Sequence, residues 1–395
     1  MFLLLGCGES FAPETLVEGL RVLGVRAQPA ELRPGEVAQL SALVVDPSRP
    51  GKRSTVLWVG CEPDPFNLGR SACSDTSQLS NPSAISAPQG GERQLPAGMK
   101  VIGLNDQAAY AVAPDLFAQL PADDRRRKVG VVGQVLAIAV GEEVSYAATP
   151  PELEALFARV RSKEVASVVT LFRIRIFEGE EPNTNPTLRA LQINGKEPFQ
   201  GATVRVRPEE KLSLTLEAPN EAFESYEQLL PEGSEQRDER LIAAWYSTAG
   251  RFSAPRIALR SEEVEEFTGP GAENDPIPER RTGELYAVVR DTRGGQTWER
   301  WPMFVCDEAL PPPVVTELQP SSGPADGSTQ LLLTGTSLTS VLEVVVGGKA
   351  LQQAGPSTDG TRYTGIIPAL PSGEHAVMVH GKHCEDVEAG RYRVP

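Results

Sequence analysis

The side chains of this chain that could bind a metal ion or transfer a proton are concentrated near its C-terminal end. All three histidines, His375, His380 and His383, lie within nine residues, and Cys384 follows directly. Imidazole nitrogens and thiolates are the ligands that zinc prefers in proteins. However, His375 and His380 are five positions apart in a predicted strand, and an odd spacing sends two side chains to opposite faces. We therefore expect ordinary surface residues here, with no metal ion and no cofactor.

The sequence also predicts no catalytic centre. A Ser-His-Asp mechanism would need one of these same histidines, and the chain has no Gly-x-x-x-x-Gly-Lys loop, His-Glu-x-x-His helix or Gly-x-Ser-x-Gly turn. A glycosidase needs two opposed carboxylates, and the acidic clusters Glu262-Glu263, Glu265-Glu266 and Glu273-Asn274-Asp275 are interpreted as solvated loops. We expect a non-enzymatic protein, with a hydrolase of divergent site as a minor alternative.

Four tryptophans are the remaining residues that could form a binding surface. Trp58 and Trp245 stand in the middle of predicted strands, where a tryptophan usually fills the core. Trp298 and Trp301 are three positions apart in a later predicted strand, so they face opposite sides. At least one of this pair is expected at the surface, and both are our candidate binding residues.

The first seven residues end in Leu4-Leu5-Gly6-Cys7, which resembles the lipobox that bacterial lipoprotein signal peptidase cleaves before a diacylglyceryl-modified cysteine. The resemblance implies that Cys7 is acylated and that a lipid bilayer is a partner. It is incomplete, because an export signal has a charged start and ~7–15 apolar residues, whereas six uncharged residues precede Cys7. The alternative is an inert terminal cysteine. No other stretch approaches the ~18–20 apolar residues of a membrane span.

The four other cysteines predict two disulfide bonds, because an even number of cysteines in an exported chain favours pairing. Cys61 and Cys73 are separated by a stretch rich in Gly, Pro, Asn and Ser, and we expect them to close this loop. Cys306 and Cys384 would then join the end of the second domain to the third. The alternative for this second pair is two buried free thiols.

The composition excludes nucleic acid as a partner and favours an all-β fold. The formal net charge is −15, whereas nucleic-acid binding needs clustered cations. The dense basic run Arg125-Arg126-Arg127-Lys128 is interpreted as a solvated turn before a strand. The chain has 36 glycines and 34 prolines, which stand between short apolar runs, as is typical of β-sandwiches.

Three tandem immunoglobulin-like β-sandwich domains are predicted to carry these residues, after a signal remnant and tether at 1–19. The first domain, 20–181, opens with apolar runs at 20–26, 37–45 and 55–61, the last of which contains Trp58. A short amphipathic helix opening at Thr149-Pro150 is inserted between two long β-rich runs. It is expected to cover one end of the sandwich.

The second predicted domain, 182–310, follows the polar hinge 178–186. Its apolar residues alternate at Leu188–Ile193 and Lys211–Leu216, and an acidic loop leads to a strand with Trp245. Glu284–Asp291 and Thr297–Val305 flank a Thr-Arg-Gly-Gly turn and form the strongest predicted hairpin of the chain.

The third domain, 311–395, begins at the stiff spacer Pro311-Pro312-Pro313 and resembles an IPT/TIG domain. The matching motifs are Val315–Pro324, Gly327-Ser328-Thr329, Leu333–Leu338, Val344–Gly348 and Pro371-Ser372-Gly373 with the valines that follow. The resemblance implies a small immunoglobulin-like module of the kind found in bacterial surface proteins.

The wider pattern resembles a group of myxobacterial-type outer-membrane lipoproteins. The features that carry this resemblance are the Leu20–Ala27 start after the lipobox, Trp58 with Cys61, the Pro-Asn-Thr-Asn-Pro hinge at 182–186, and Val289–Gly295. It implies a location in the cell envelope, periplasmic or surface-exposed.

Two functions are therefore expected to compete. The leading hypothesis is a membrane-anchored lipoprotein that presents immunoglobulin-like modules for protein–protein contacts or adhesion in the envelope, with exposed edge strands available to a partner strand. The alternative is a lipoprotein that binds carbohydrate or polysaccharide through Trp298 or Trp301.

Overall fold

The computed structural model describes residues 13–66, 98–145, 150–179, 181–198, 201–230, 232–260 and 264–395. The fold is almost all β and contains tandem immunoglobulin-like β-sandwich units, which confirms the predicted fold class. Three apolar cores follow one another along the chain, one for each unit.

The first unit consists of strands joined by long connections. Its strands are β1 (Arg21–Gln28), β2 (Val37–Val45), β3 (Thr55–Cys61), β4 (Met99–Leu104), β5 (Gln107–Ala111), β6 (Val131–Val140) and β7 (Ser167–Ile176). All are antiparallel members of a single sheet in the order β1-β2-β5-β4-β3-β6-β7. The sheet curls, because Leu32, just after β1, forms a bridge with Ile176 of β7. Trp58 is fully buried in the core between the two halves, as predicted.

The first unit also contains two helices. Helix α1 (Arg125–Val129) begins at Asp124, whose carboxylate accepts a hydrogen bond from the backbone N–H of Arg126. The expectation of a turn for this basic run was therefore wrong, because Asp124 caps a helical turn. Helix α2 (Pro150–Arg161) confirms the predicted insertion, and Leu156 packs on Val140 at the end of β6.

The second unit is a sandwich of two sheets. Its strands are β8 (Ala190–Ile193), β9 (Val204–Val206), β10 (Lys211–Glu217), β11 (Ser225–Leu230), β12 (Gly233–Asp238), β13 (Ile242–Ser247), β14 (Arg251–Phe252), β15 (Arg256–Ala258), β16 (Glu265–Thr268), β17 (Thr282–Arg290) and β18 (Gln296–Val305). One sheet has the order β14-β16-β10-β8 and the other β15-β13-β17-β18-β9. Buried Trp245 fills the core between them, and β17 and β18 form the predicted hairpin.

Two acidic segments of this unit differ from the sequence prediction. The acidic loop before Leu241 contains a two-stranded sheet, β11 with β12. Glu265 is buried in β16 instead of lying in a solvated loop, and its carboxylate accepts hydrogen bonds from the Ser253 hydroxyl and the Ala254 N–H, both at 3.0 Å. Burial raises the pKa of Glu265, against the effect of these hydrogen bonds.

The third unit is a smaller two-sheet sandwich. Its strands are β19 (Val314–Gln319), β20 (Gln330–Thr336), β21 (Val341–Val346), β22 (Lys349–Ala350), β23 (Gln352–Pro356), β24 (Arg362–Ile366), β25 (Gly373–Gly381) and β26 (Asp386–Val394). The sheets are β19-β20-β24-β23 and β22-β21-β25-β26. A disulfide bond between Cys306 and Cys384 attaches this unit to the end of β18, as predicted, with a Cα–Cα distance of 5.5 Å.

Candidate functional site

Strand β18 carries both candidate binding residues, and it places them in different environments. Trp298 is opposite Val288 of β17, and Trp301 is opposite Leu285. Trp298 packs in a cluster between the first and second units, whereas Trp301 packs on the core of the second unit. The two side chains therefore face opposite sides, as their spacing predicts. Both are half-buried, so neither stands fully exposed.

Trp298 forms part of the junction between the first two units. A β-carbon added to Gly24 of β1 would lie 3.1 Å from Trp298 Cε3, which shows how closely the β1 backbone approaches the indole ring. The Arg26 guanidinium lies 4.8 Å from the centre of that ring. Arg290 donates a hydrogen bond to the Leu23 carbonyl at 2.7 Å. The surroundings of Trp298 are thus supplied by the chain itself.

Trp301 lines a cavity of about 440 Å³ on the other side of β18. Its ring stacks on the buried Trp245, with ring centres 6.3 Å apart. The lining residues come from the segment before β8, from β8 and β10, from the connection to β9 and from β18; they are Leu188, Arg189, Ala190, Leu191, Glu197, Pro198, Gly201, Leu216, Glu299, Arg300, Trp301 and Pro302. The cavity lies where β8, the last strand of one sheet, faces β18 of the other.

The charged residues of this cavity balance one another. Arg189 and Glu197 form no ion pair with a described residue, whereas Arg300 pairs with Glu284. Partial burial raises the pKa of Glu299, although the residue as a whole remains exposed. An aromatic ring among balanced donors and acceptors suits a neutral ligand that has both an apolar face and many hydroxyl groups.

Two larger clefts lie beside the loop between β2 and β3. One, of about 1110 Å³, is lined by polar and aliphatic residues such as Asp46, Lys52 and Asn105, and contains no aromatic side chain. The other, of about 660 Å³, is bordered by all three units, but its aromatic residues Tyr286 and Phe304 are almost completely buried. Neither cleft offers a ring face comparable to that of Trp301.

A buried polar cluster at the first junction was not predicted from the sequence. Glu31 is almost completely buried; its carboxylate accepts hydrogen bonds from Arg175 at 3.1 Å and from the Asn183 N–H at 2.8 Å. Arg293 donates to buried Glu239 at 2.5 Å and also pairs with Glu224. Burial raises the pKa of Glu239 to about 7; nearby Asp291 and Glu224 add to the shift, and Arg293 opposes it.

Two of the sequence motifs that support the lipoprotein resemblance, the 182–186 hinge and the Gly-Gly turn, meet at this cluster. Asn183 of the hinge donates to the Asp291 carboxylate at 3.0 Å, and Asn185 accepts from the Gln296 N–H at 2.9 Å. Asp291 also accepts the backbone N–H groups of 293, 294 and 295. The Asn-rich hinge and the Gly-Gly turn therefore fix the first unit on the second. These motifs were the available signal for the junction.

The junction between the second and third units combines covalent and ionic contacts. Besides the Cys306–Cys384 disulfide, Arg205 pairs with Asp386 at 2.6 Å, and the Asp307 N–H donates to the Lys382 carbonyl at 2.9 Å. Although burial acts in the opposite direction, hydrogen bonds from His380 and Arg205 hold the pKa of Asp386 well below its usual range.

The histidines of the third unit lie apart from one another, and two of them are within hydrogen-bond distance of other groups. His375 lies 2.8 Å from the Pro371 carbonyl, and His380 lies 2.8 Å from the Asp386 carboxylate. His383 is buried, and Cys384 is committed to its disulfide. Among the described residues, no group of three or more His, Cys, Asp or Glu side chains could hold a metal ion.

Two predicted cysteine sites cannot be placed in the structure. Cys7 and Cys73 both lie outside the described residues. Cys61, at the end of β3, takes part in a disulfide bond. Within the described ranges, no helix is both long enough and apolar enough to cross a bilayer.

Comparison with known proteins identifies one domain. Residues 313–388 match the IPT/TIG domain family, which confirms the resemblance of the third unit. No curated protein sequence matches the chain.

Three solved structures illustrate the similarity to known folds. A crystal structure with xylogluco-oligosaccharide is 11% identical over 95% of this chain and 60% of that chain, with a TM-score of 0.20. Bacteroides ovatus SGBP-B with a mixed-linkage heptasaccharide is 13% identical over 97% of this chain and 67% of that one, with a TM-score of 0.15.

The third is the Salmonella enterica SafA pilin in complex with the SafB chaperone, 10% identical over 53% of this chain and 98% of that chain, with a TM-score of 0.24. The chain spans less than two thirds of the length of the xylogluco-oligosaccharide complex. At these TM-scores the similarities carry no functional conclusion.

Proposed function

We propose that the protein is a non-enzymatic binding protein of the cell envelope and that its Trp301 cavity binds a neutral oligosaccharide. The observation that carries this proposal is a tryptophan stacked on a second, buried tryptophan and half-exposed in a cavity with balanced charges. Trp245 supports one side of the Trp301 ring, so its other side is held ready without loss of rotamer freedom on binding.

The size and chemistry of the cavity agree with such a ligand. A volume of about 440 Å³ lies within the ~300–1,000 Å³ of small-molecule sites. Arg189, Glu197 and Glu299 would serve as hydrogen-bond partners for sugar hydroxyl groups. An ion would gain little, because the cavity offers charges of both signs.

The tandem units would then act as a spacer from the membrane. Acylation at Cys7 would tether the chain to the outer membrane, and two acyl chains hold a protein firmly in a bilayer. The contacts at both junctions would hold the cavity in place relative to the first unit, the unit nearest in sequence to that anchor. Mass spectrometry of the native protein, with Cys7→Ser as the control, tests this part: a Cys7 without lipid would contradict it.

The binding proposal is tested by titrating the purified full chain against a panel of neutral and acidic oligosaccharides. We expect a neutral oligosaccharide to bind, and Trp301→Ala to weaken that binding by roughly five- to a hundredfold, since a stacked ring contributes about 1–3 kcal/mol. Trp298→Ala is the matched control on the same strand, and it should leave affinity unchanged. Equal losses in both variants, or no binding by the wild type, would refute the proposal.

Two further variants test whether the charged lining residues contribute to binding. Glu299→Gln and Arg189→Ala each remove one charged lining residue and should weaken binding by a smaller factor than Trp301→Ala. Hydrolysis of the bound oligosaccharide, followed by product analysis, would instead support the hydrolase alternative.

Protein–protein docking, the leading expectation from the sequence, depends on a different surface. It is favoured by one observation, the open edge of β7, which lies far along the first sheet from the junction strand β1.

A further inference from the structure

The two end strands of the first sheet differ in whether another part of the chain covers them. β1, at one end, is covered by the second unit through β18 and the Arg290 and Gln296 side chains. At the other end, β7 pairs with β6 over its whole length. Among the described residues, no second strand pairs with 167–173 of β7, although Ile176 bridges to Leu32. The backbone groups on that free edge are therefore available for another strand.

The outer face of β7 is apolar where its edge is open. Val169 and Leu171 point away from the core and are 52% and 37% exposed. They end two rows of apolar side chains that cross the sheet on its face away from the main core; the members of these rows on β6 and β3 are buried or half-buried. The row of Leu171 continues through Leu136 to Val59, and the row of Val169 continues through Ile138 to Leu57. Both rows stop at the sheet edge instead of ending in charged side chains, which usually protect an edge strand.

The sequence of β7 is complementary to itself in one antiparallel register. With Thr170 opposite Thr170, Val169 of one strand faces Leu171 of the other, and Val168 faces Phe172. Ser167 then faces Arg173, so no like charges meet. Shifting the centre by one residue instead places Leu171 opposite Ser167, or Val169 opposite Arg173. Of these registers, only the one centred on Thr170 pairs Val169 with Leu171, and the two-fold symmetry produces this pair twice.

We propose that β7 is a dimerisation strand: two copies of this chain pair their β7 edges antiparallel about Thr170 and join two sheets into one. The two-fold axis makes the contact isologous, so it closes at a dimer and does not propagate into a fibre. The apolar rows of each copy continue into those of the other, which buries Val169 and Leu171.

The test is sedimentation equilibrium on the full chain carrying Cys7→Ser, which excludes association through acyl groups. We expect a concentration-dependent dimer. Val169→Asp and Leu171→Lys should each weaken it by roughly tenfold or more, because each places two charges opposite apolar side chains. An equimolar mixture of the two variants should dimerise again. In the mixed dimer, the introduced aspartate of one chain faces the introduced lysine of the other. At the second such pair of positions, the unchanged Leu171 of the first chain still faces the unchanged Val169 of the second. Val314→Asp is the matched control, as Val314 is 49% exposed on β19, and it should dimerise normally.

A cross-link provides a second measurement that adds no charge. Paired Cα atoms in antiparallel strands lie about 4.5–5.5 Å apart, within disulfide range, so Thr170→Cys should yield a covalent dimer under mild oxidation. Ser167→Cys, whose expected neighbour is Arg173, should not. A wild type that stays monomeric at every concentration, a dimer insensitive to both charged variants, or a mixture that fails to associate would each overturn the proposal.

Discussion

Trp298 and Trp301 are three positions apart on one strand, yet they serve different parts of the molecule. Trp298 lies against the β1 backbone and the Arg26 guanidinium at the junction of the first two units. Trp301 stacks on Trp245 and lines a cavity. Since both are half-buried indoles on β18, the face of the strand decides what each one does.

This difference shows how one edge of a sandwich can serve two purposes. The residues of β18 alternate between the core side and the outer side of its sheet. On the outer side, the first unit covers Trp298, and on the core side the neighbouring β8 edge leaves room beside Trp301. Substitutions on one face should therefore change the coupling of the units, and substitutions on the other face should change ligand binding.

The largest effect is expected for Trp298→Ala. Removing the indole ring leaves a cavity between Gly24, Val288 and the Arg26 side chain. We expect the free energy of unfolding to fall by about 2–3 kcal/mol, less than for a fully buried tryptophan, because Trp298 is half-buried. Calorimetry should also show the first unit unfolding at a lower temperature than the second. Trp301→Ala is the control: it should lower stability less and keep the transitions of the two units together.

A pH effect at the same junction is expected to be smaller over any single pH unit. Burial raises the pKa of Glu239 to about 7 from an ordinary value of 4.5. The folded state then holds a proton that the unfolded state releases, so this contribution is fully present below pH 4.5 and is lost as the pH rises through 7. Denaturant unfolding between pH 4.5 and 8 should show stability declining with pH, by at most about 1.4 kcal/mol per pH unit for one proton.

Glu239→Gln isolates the contribution of Glu239 to the pH dependence of stability, because the amide keeps an acceptor for Arg293 but does not titrate. Its pH profile should be flatter than that of the wild type across the same range. Glu227→Gln, on the exposed β11–β12 hairpin, is the matched control and should reproduce the wild-type slope. If the wild type and Glu239→Gln have the same slope, the raised pKa of Glu239 is wrong.

The sequence predicted the strands and the faces of their residues better than it predicted contacts between units. Alternating apolar residues placed Trp58 and Trp245 in the core and Trp298 and Trp301 on opposite faces, because strand periodicity is a local property. The partner of Trp298 is Gly24, which lies in the first unit and far away along the chain, and no local pattern contains that information. The sequence therefore indicated that a tryptophan would reach the surface, but not that the first unit would cover it.

Buried charge was the other part that the sequence could not predict. Glu265 has the same local pattern as a solvated acid, and its burial depends on donors from Ser253 and Ala254 on the neighbouring turn. The basic run at Arg125 predicts a solvated turn, and the hydrogen bond from the Arg126 N–H to the Asp124 carboxylate makes it a short helix instead. In contrast, Cys306 and Cys384 were paired correctly by counting cysteines, a rule that does not depend on knowing the fold.

A still smaller effect on stability is expected for Gly24→Ala, which changes the β1 side of the contact with Trp298. The added β-carbon would lie 3.1 Å from Trp298 Cε3 and 3.3 Å from Val288 Cγ1, so the ring must shift slightly. We expect a loss of about 1 kcal/mol in the free energy of unfolding. Gly19→Ala, whose added β-carbon meets no atom within 4 Å, should cost less. Equal values for the two variants would mean that the β1 backbone does not contact Trp298.

The smallest effect concerns the Arg26 guanidinium, which lies 4.8 Å from the centre of the Trp298 ring. A half-exposed cation–π contact contributes about 0.5–1 kcal/mol, and Arg26→Ala should destabilise the protein by that amount. The sharper measurement is a double-mutant cycle with Trp298→Leu, which keeps an apolar side chain but removes the ring. Arg26→Ala should cost almost nothing in the Trp298→Leu background, because the guanidinium then has no ring to lose. An unchanged cost there would show that Arg26 acts through its other neighbours and that the contacts of Trp298 at the junction are apolar alone.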